Sequence, residues 1–423
     1  MLKKKLQPIA FSAACLWFNE SYVSLGRKRK GREGELMIQI DKKSCSGCGA
    51  CASVCPAHCI VMKPDREGFL YPTAEMAQCR RCGLCVKICP MKEGALPAEK
   101  REQVAYGAYT PDAKLREESS SGGVFSVIAE EILTRGGIVY GAAWDENWKL
   151  RHIGVVSREQ LSVLRGAKYL QSDSTGCFAE IRAHLENGRW VCFSGTPCQI
   201  GGLKAYLRKT YERLLCIDLI CHGVPSPLGW TQYREALAKE HRAPMTKFVF
   251  RNKEKSWKRY SVSATFANGS DYSAMLVKDP YMRVFLAGIM LRPSCYACPF
   301  KGESHFSDLT IADFWGIENV LPELNDDKGL SLIVLHSDAA KTFFAGLEPK
   351  LVCQPVAADK ALQGNQSWYK SANANPLRRK FMTDLPKMPF ERLSEKYCGT
   401  RMAARVRRKW ASLLQRLFKK EPF

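Results

Sequence analysis

The chain contains the stretch CSGCGACASVCP at residues 45–56, and residues 79–90 repeat its cysteine spacing as CRRCGLCVKICP. In each stretch three cysteines stand three positions apart, and a fourth stands directly before a proline. Three thiolates at this spacing can wrap around three corners of one iron–sulfur cube, while the fourth closes a second cube. The two stretches therefore predict one compact unit with two clusters that exchange ligands.

This spacing is the established pattern of bacterial two-cluster ferredoxins, so the ligands of two [4Fe–4S] clusters follow from it. The first cluster is assigned to Cys45, Cys48, Cys51 and Cys89, and the second to Cys55, Cys79, Cys82 and Cys85. Zinc sites use paired CxxC units, and disulfides need an oxidising compartment, so both alternatives are weaker. Cys59 is expected to be a buried thiol outside both sets. The pattern indicates a cytoplasmic protein that carries single electrons.

The charge of the 423-residue chain is uneven, since much of its net charge of +22 lies at the two ends. Residues 1–36 contribute +5, from eight Lys and Arg against three Glu, and residues 401–423 contribute +7, from eight against one. Solvated basic ends explain this distribution better than a binding surface, so nucleic acid is not an expected partner. No apolar run reaches about 18 residues, and a membrane-spanning helix is therefore not expected.

The order of motifs predicts five segments. They are a disordered extension or mis-assigned start at 1–36, a ferredoxin-like two-cluster module of α+β type at 37–96, the N-terminal part of an α/β flavin-binding body at 103–185, the C-terminal part of that body with a third cluster at 186–360, and an irregular segment with a basic amphipathic helix at 361–423. The extension resembles a signal peptide but lacks a cleavage site, and translation is expected to begin at Met37.

The α/β assignment of the body rests on buried strands that alternate with helical stretches. The predicted strands are 138–141, 190–193 and 214–220, and the predicted helices are 124–134 and 200–207. An antiparallel hairpin is expected between 260–266 and 272–275, with a tight Asn268-Gly269 turn. The terminal helix at 401–420 has one apolar stripe, so it can make a peripheral membrane contact or cover the body.

Four further cysteines stand in contexts typical of ligands: Cys198, Cys221, Cys295 and Cys298. The first two follow predicted buried strands, and the last two form a CxxC pair. Because ligands in α/β proteins gather beyond the carboxyl ends of strands, the four thiols are able to converge. They suit a third [4Fe–4S] cluster, a structural zinc ion or a redox-active CxxC pair.

Six short motifs mark the body: SSSGGVF at 119–125, GAKYLQS at 166–172, SGTPCQ at 194–199, CHGVPS at 221–226, RPSCYACP at 292–299 and ADFWG at 312–316. Together they resemble the family of coenzyme F420 hydrogenase/dehydrogenase beta subunits, over about residues 103–350. The resemblance implies a flavoprotein that binds FAD close to an iron–sulfur cluster, which favours the cluster among the three alternatives. It also makes coenzyme F420 a candidate cofactor.

The flavin contacts are expected at Ser120, Ser121, Gly122, Gly123, Lys168, Tyr169, Gln171, Ser194, Gly195 and Thr196. Free N–H groups at the start of the helix near Val124 favour a phosphate, although an ordinary serine cap explains the same residues. The turn at 194–196 can bind a second phosphate or flank the flavin. Lys168 is expected to place a positive charge near the flavin's pyrimidine edge, the alternative being a surface lysine.

Two polar features of the body have a structural and a functional interpretation. Asp313 lies in an apolar stretch, and a buried carboxylate needs a partner. It can orient a cluster loop or deliver protons, but a structural hydrogen bond is the favoured interpretation. Arg251 and Lys253 belong to a basic and aromatic strip at 250–258, which suits an anionic substrate or nucleic acid. A solvated strand face is the favoured interpretation of that strip.

The sequence therefore predicts an iron–sulfur flavoprotein oxidoreductase. Electrons would pass from the ferredoxin clusters through the third cluster to FAD and on to an organic acceptor or deazaflavin. The expected partners are a low-potential electron donor or acceptor protein and a small-molecule or deazaflavin substrate. One alternative is an electron-transfer subunit of a hydrogenase or formate dehydrogenase complex. The other is a non-enzymatic redox sensor or interaction protein.

Overall fold

The computed structural model describes residues 41–92 and 103–399. The elements of the first range are α1 (Ala50–Ser53), β1 (Ile60–Pro64), β2 (Leu70–Ala74) and α2 (Leu84–Lys87). β1 and β2 pair in antiparallel fashion, and each helix begins directly after a glycine with left-handed backbone, Gly49 at φ 78° and Gly83 at φ 71°. Glycine adopts this conformation without strain, so both cysteine stretches can turn tightly. We call residues 41–92 the dicluster module.

Residues 103–399 form the body. Its strands are β3 (Val104–Tyr109), β4 (Ile138–Trp144), β5 (Leu150–Val155), β6 (Val191–Gly195), β7 (Leu214–Leu219), β8 (Met245–Asn252), β9 (Ser261–Phe266), β10 (Asp271–Met275), β11 (Leu309–Asp313), β12 (Ser331–Leu335) and β13 (Val352–Val356). Its α-helices are α3 (Ala113–Glu118), α4 (Val124–Thr134), α5 (Cys177–Glu186), α6 (Pro197–Leu207), α7 (Pro227–Glu240), α8 (Pro280–Leu286), α9 (Asp338–Ala345), α10 (Ala358–Leu362), α11 (Gln366–Tyr369), α12 (Arg378–Asp384) and α13 (Phe390–Cys398). Short 3₁₀ turns cover Glu159–Val163, Pro293–Ala297, Ile317–Asn319, Pro322–Leu324, Glu348–Lys350 and Leu385–Lys387.

An eight-stranded mixed sheet organises the body, in the order β13-β3-β12-β11-β7-β6-β4-β5. The four strands β4, β6, β7 and β11 are parallel, and antiparallel strands extend the sheet on both sides. Alternate residues of β4 face opposite sides, as a pleated strand requires. Val139 packs with Ile128 of α4, while Tyr140 packs with Phe178 of α5. The parallel strands are therefore covered by helices on both faces.

A second core surrounds the three-stranded antiparallel sheet β10-β9-β8. Trp230 of α7 is 2% exposed and stacks on Trp144, with ring centroids 5.0 Å apart. Phe250 and Tyr281 approach the same indole. These aromatic contacts join the smaller sheet to the edge of the large one.

The predicted mixed α/β architecture is confirmed, including the strands at 138–141, 190–193 and 214–220 and the helix at 124–134. The hairpin also forms, with β9 and β10 joined through the Asn268-Gly269 turn. The helix predicted at 200–207 begins earlier, at Pro197, because a proline suits the first turn of a helix.

The segment predicted to be irregular is largely helical, since α11, α12 and α13 lie within it. Phe390, Leu393 and Tyr397 are buried at intervals of three and four residues, which is the spacing of one helix face. The predictions for 1–36, for a start of translation at Met37 and for a helix at 401–420 fall outside the described residues. Within the two described ranges, each helix is too short or too polar to cross a bilayer.

The dicluster module packs on the body through contacts of α1 with α5 and α6. A Cβ atom added at Gly202 would stand 2.8 Å from the Cβ of Cys48 and 3.0 Å from its Sγ. The Ser174 hydroxyl donates to the Cys48 carbonyl at 3.2 Å, and the Ser53 hydroxyl donates to the Thr175 carbonyl at 2.9 Å. The first cysteine stretch is thus held directly against two helices of the body.

We predict that Gly202→Ala destabilises the protein, although alanine normally favours a helix over glycine. The new methyl group has to displace Cys48, and overpacking of this kind costs about 1–3 kcal/mol. Urea unfolding under anaerobic conditions measures the change. Gly176→Ala is the control, because no atom lies within 4 Å of a Cβ atom there. An equal effect of both substitutions would contradict the close approach.

Candidate functional site

The first ligand set is brought together inside the dicluster module. Cys48 and Cys51 are buried, while Cys45 and Cys89 are half-buried. Burial, together with the neighbouring thiols of Cys89 and Cys45, raises the pKa of the Cys48 thiol to about 12. Burial likewise raises the pKa of Cys51, with contributions from Cys48, Cys45 and Cys89. The four thiols therefore interact with one another, as ligands of one cluster must.

The second ligand set also converges, since Cys55, Cys79, Cys82 and Cys85 line one cavity of about 20 Å³. Cys59 lines the same cavity, with its Sγ 3.4 Å from the Sγ of Cys55. Cys59, which was expected to lie outside both ligand sets, is buried but lies directly beside the second set. The Arg81 backbone N–H points to Cys79 Sγ at 3.4 Å, a contact typical of cluster-binding loops.

The third group of cysteines surrounds a cavity of about 30 Å³ in the body, lined by Cys198, Cys221, Cys295 and Cys298. Cys198 lies in the first turn of α6, and Cys221 follows β7. Burial raises the pKa of Cys221 to about 12 and that of Cys295 to about 11, and neighbouring thiols of the same group add to both shifts. The predicted convergence of these four residues is therefore present in the fold.

The sulfurs of these four residues do not form the close group expected around a single zinc ion. Around tetrahedral zinc with Zn–S bonds of about 2.3 Å, the sulfurs lie about 3.8 Å apart. We consider groups of three or more His, Cys, Asp or Glu residues whose ligand atoms all lie within 4.8 Å of one another. Residues 41–92 and 103–399 contain one such group. That group is Asp218, His305 and His336. The sulfurs of the four cysteines therefore do not all lie within 4.8 Å of one another.

Donors around the third cavity also suit a cluster. The Val224 N–H points to Cys295 Sγ at 3.4 Å, and the Thr196 hydroxyl lies 3.2 Å from Cys198 Sγ. His222 lines the cavity, and its buried Nε2 has no hydrogen-bond partner. Buried thiols with raised pKa values stay protonated until a metal centre supplies positive charge. The residues present therefore fit a [4Fe–4S] group.

Arg292 joins the dicluster module to the body. Its side chain is 0% exposed, and its guanidinium donates to the carbonyls of Cys45 at 2.7 Å and Leu70 at 2.8 Å. One Nη atom lies 3.7 Å from Cys45 Sγ. A Cβ atom at Gly47 would stand 2.7 Å from the guanidinium, so glycine makes room for it. Arg292 thus places a buried positive charge beside the first ligand set.

The Gln171 side chain completes this contact. Its oxygen accepts from Arg292 at 2.8 Å, and its amide donates to the Ser46 carbonyl at 2.7 Å. Gln171 was expected among the flavin contacts, but these bonds place it at the module interface. Arg292 stands in the RPSCYACP motif, yet sequence reasoning did not single it out, because its partners lie more than a hundred positions away.

A second and larger cavity of about 340 Å³ lies beside the parallel strands, and its volume is within the range of small-molecule sites. Ser194 and Gly195 at the end of β6, Leu219 at the end of β7 and Asp313 at the end of β11 contribute to its lining. This is the edge of the sheet at which α/β proteins bind ligands. We call this space the cofactor cavity.

The serine and glycine loop at 119–123 forms one wall of the cofactor cavity. Gly123 caps α4 with no side-chain acceptor, so N–H groups of the first helical turn remain available to an anion. The Ser120 hydroxyl accepts from Ala167 N–H at 2.5 Å, which ties this loop to the lysine loop opposite. The Gly122 N–H donates to the Ser331 hydroxyl, and Gly122 supports the loop without lining the cavity.

The turn at 194–196 forms the opposite wall. Thr196 and Gln199 make a reciprocal capping box at the start of α6, so these residues already satisfy two of its N–H groups. This arrangement favours a flanking position for the turn over phosphate binding. Thr196 lines the cofactor cavity, and its hydroxyl also contacts Cys198 Sγ. Thr196 therefore lies between the cavity and the third cysteine set.

Lys168 lies in the cofactor cavity with its ammonium group held by carbonyl oxygens of its own loop. Nζ donates to Arg165 O at 2.7 Å and to Leu164 O at 3.1 Å. Burial lowers the pKa of Lys168 to about 7. Lys168 is therefore a partly buried group that changes charge near neutrality, rather than an ordinary surface lysine. Tyr169 also lines the cavity and stacks on Phe285, with centroids 4.8 Å apart.

Asp313 has a buried partner, because Arg251 forms an ion pair with it and the Trp257 N–H donates to it at 3.2 Å. Burial acts to lower the pKa of Arg251, but Asp313 together with Tyr169 and Tyr260 holds that pKa above its ordinary value. Arg251 and Asp313 both line the cavity. The favoured interpretation of a solvated strand face was wrong for Arg251, which is 6% exposed, because the large sheet covers this end of β8.

Sequence reasoning missed two buried polar groups of the body. His152 lines the cofactor cavity, bonds to Ser172 and the Ser194 carbonyl, and has its pKa lowered to about 4 by burial. Asp218, His305 and His336 meet around the Thr310 hydroxyl, which donates to Asp218 at 2.5 Å. A single histidine in the sequence does not indicate either group, because its hydrogen-bond partners come from separate strands and loops.

Comparisons with known proteins match two parts of the chain. Residues 188–360 match the family described as the C terminus of the beta subunit of coenzyme F420 hydrogenase/dehydrogenase. Residues 44–93 match the 4Fe-4S dicluster domain. The second match indicates a domain with iron–sulfur clusters. Residues 188–360 are thus similar to the C-terminal part of these beta subunits, and residues 44–93 are similar to dicluster iron–sulfur domains.

A curated relative is the F subunit of the F(420)H(2) dehydrogenase of Methanosarcina mazei, 28% identical over 193 residues. The match covers 43% of this chain and 54% of the relative, so it spans about half the length of that protein. A solved structure of the F420-reducing [NiFe] hydrogenase complex from Methanosarcina barkeri contains a similar chain at 15% identity and a TM-score of 0.43. That similarity covers 71% of this chain and 92% of the other.

We predict that Arg292→Met lowers the midpoint potential of one dicluster centre, because a buried cation near Cys45 Sγ favours the more negative, reduced form. A charged hydrogen bond is worth about 1.5–3 kcal/mol, which corresponds to roughly 60–130 mV for one electron. Redox titration followed by electron paramagnetic resonance measures the shift. Arg292→Lys is the matched control and should recover part of the potential. Unchanged potentials of both centres in Arg292→Met would contradict the assignment.

Proposed function

We propose that this chain is an iron–sulfur flavoprotein oxidoreductase that moves electrons between the dicluster module and FAD in the cofactor cavity, and onward to an organic acceptor or a deazaflavin such as coenzyme F420. One observation carries the proposal. Thr196 lines the cofactor cavity while its hydroxyl lies 3.2 Å from Cys198 Sγ of the third cysteine set. A redox cofactor in that cavity would therefore adjoin a candidate cluster site.

The order of the three ligand sets supports the same function. The Cys51 thiol is close enough to Cys85 for that thiol to raise its pKa, so the two dicluster sets are neighbours. Ser46, which follows Cys45, and Met91, two positions after Cys89, line the third cavity together with Cys198. The sets thus follow one another without an intervening domain, from the second set through the first and third to the cofactor cavity.

The lining of the cofactor cavity supports FAD as the bound group. The uncapped start of α4 offers N–H groups to a phosphate, and protonated Lys168 adds positive charge, whereas the charge of Arg251 is balanced by Asp313. Tyr169 and Trp315 supply aromatic surface. When bound, FAD supplies the conversion between single-electron transfer and two-electron chemistry. The protein would hold it between the 119–123 loop and the 194–196 turn.

A second candidate function is supported by the relative named above. That protein is called a dehydrogenase subunit, and residues 188–360 match a family of beta subunits. The same ligand sets and cavity would then serve as the electron-transfer subunit of a hydrogenase or dehydrogenase complex. Affinity purification from the native host distinguishes the two, since a subunit retains a stoichiometric catalytic partner and a self-contained oxidoreductase does not.

The proposed function is tested with Cys198→Ser in protein purified anaerobically. If each of three clusters holds about four iron atoms, the variant should lose about a third of the iron. Reduced methyl viologen should then reduce bound flavin at least about tenfold more slowly than in the wild type. Cys353→Ser is the control, because this half-buried thiol lies apart from the three sets. Unchanged iron content and unchanged flavin reduction would sink the proposal.

We further predict that FAD affinity falls as pH rises from about 6.5 to 8.5. The pKa of Lys168 is about 7 because of burial, and bound anionic FAD would favour the charged form and raise this pKa. Between the two pKa values binding takes up a proton, so affinity falls by up to about tenfold per pH unit. Burial lowers the pKa of Lys253 to about 8. Lys253 donates to the Ser121 carbonyl behind the serine loop, so it contributes a smaller pH dependence of FAD affinity.

Calorimetric titration of flavin-free protein with FAD measures this dependence. Lys168→Gln should flatten the curve, whereas Lys278→Gln, at an exposed position, should leave it unchanged. A Lys168→Gln variant with the wild-type pH slope would show that this lysine does not face the bound group.

A further inference from the structure

We propose that the surface around Cys82 is the docking site of an acidic one-electron carrier protein. The proposal rests on the proposed function, because it assigns the point at which electrons enter or leave the ligand sets described above. We call the surface formed by Met76, Arg80, Arg81, Cys82 and Lys87 the Cys82 face. Its partner is identified by chemistry, as a small redox protein with a negatively charged surface around its own centre.

Exposure singles out this face. Among the cysteines of residues 41–92, Cys82 is exposed, while the others are buried or half-buried. The first ligand set is covered by the body, since Arg292 binds the Cys45 carbonyl and Gly202 lies against Cys48. Because electron transfer between proteins needs a close approach, a carrier in solution can approach the second set more closely than the first.

The charges around Cys82 are positive. Arg80 and Arg81 are exposed within the Cys79–Cys82 loop, and Lys87 is exposed at the end of α2. Within the described part of the chain, none of these three side chains forms an ion pair with a carboxylate. Glu75 is the acidic residue nearest in sequence to the loop. A cluster of unpaired cations attracts a partner of opposite charge and steers its approach.

The arginine at position 81 is not explained by the fold. Its backbone is left-handed, with φ 49°, a conformation that glycine or asparagine adopts more easily. The contact with the ligand set is made by its backbone N–H to Cys79 Sγ, which another residue could also supply. The guanidinium is left in solvent beside the second set. A role outside this chain therefore accounts for the side chain better than local stability does.

An apolar spot adjoins the positive charges. Met76 is 47% exposed, and its carbonyl accepts from Cys79 N–H at 3.2 Å, so it lies next to the ligand loop. A small apolar centre with a charged rim is typical of transient complexes, and electron-transfer encounters bury less than about 1,200 Å². The face matches a carrier that binds weakly and leaves quickly. An extended nucleic acid would need a longer basic track.

The test compares two double variants of the full chain with the same change in net charge. Arg80→Glu/Arg81→Glu reverses the Cys82 face, while Arg242→Glu/Lys247→Glu reverses two exposed cations near the three-stranded sheet. The probe is a reduced, acidic plant-type [2Fe–2S] ferredoxin, mixed with each protein anaerobically in a stopped-flow instrument. At low ionic strength the first variant should accept electrons at least about tenfold more slowly than wild type, and the second within about twofold.

Salt concentration separates docking from a changed cluster potential. A docking effect is screened, so the first variant and the wild type should converge at about 0.5 M salt, whereas a shifted potential would keep them apart. Equal slowing of both variants, no slowing of the first, or a difference that persists at high salt would each overturn the proposal. Reduction of all three proteins by dithionite is followed in parallel. If dithionite reduces the clusters and the flavin but the ferredoxin does not react with wild type, docking fails while the proposed function stands.

Discussion

The buried guanidinium of Arg292 is the interaction on which the arrangement of this protein depends. It has no exposed surface, and its N–H groups bind carbonyls of the dicluster module and the amide oxygen of Gln171 in the body. A buried cation without partners would be costly, so both halves of the protein must be in place for either to satisfy it. The same contact brings the first ligand set next to the third.

The parallel strands of the large sheet explain why two candidate sites lie side by side. β6 and β7 end at the same edge, and the turns that follow them supply Cys198 and Cys221 to the third set. The same edge supplies Ser194 and Leu219 to the cofactor cavity. One structural feature, the shared direction of neighbouring strands, therefore positions both a cluster site and a cavity.

Local patterns predicted much of this structure. The cysteine stretches identified two ligand sets because their spacing carries the geometry of a cluster, and the strands and helices of the body followed from hydrophobic periodicity. The third set could be proposed because each member stands after a strand or in a CxxC pair. Its convergence depends on the fold, since Cys198 and Cys295 lie almost a hundred positions apart.

Long-range partners decided what local patterns could not. Gln171 stands in the same motif as Lys168, but the two face different sites because Ser46 and Arg292 bind the glutamine. Arg251 belongs to a strip whose sequence predicts a solvated strand face. In the fold it is buried under the large sheet and forms an ion pair with Asp313. In both cases the deciding residue is more than sixty positions away, beyond the reach of a local pattern.

We propose that three cysteine sets and one flavin site form a continuous arrangement in this single chain. The decisive experiment quantifies iron, acid-labile sulfide, zinc and flavin together in anaerobically purified protein. We expect about twelve iron and twelve sulfide atoms with one FAD per chain, from about four of each in three clusters. About eight iron atoms with one zinc ion, or full iron content without flavin, would show that the arrangement is not present.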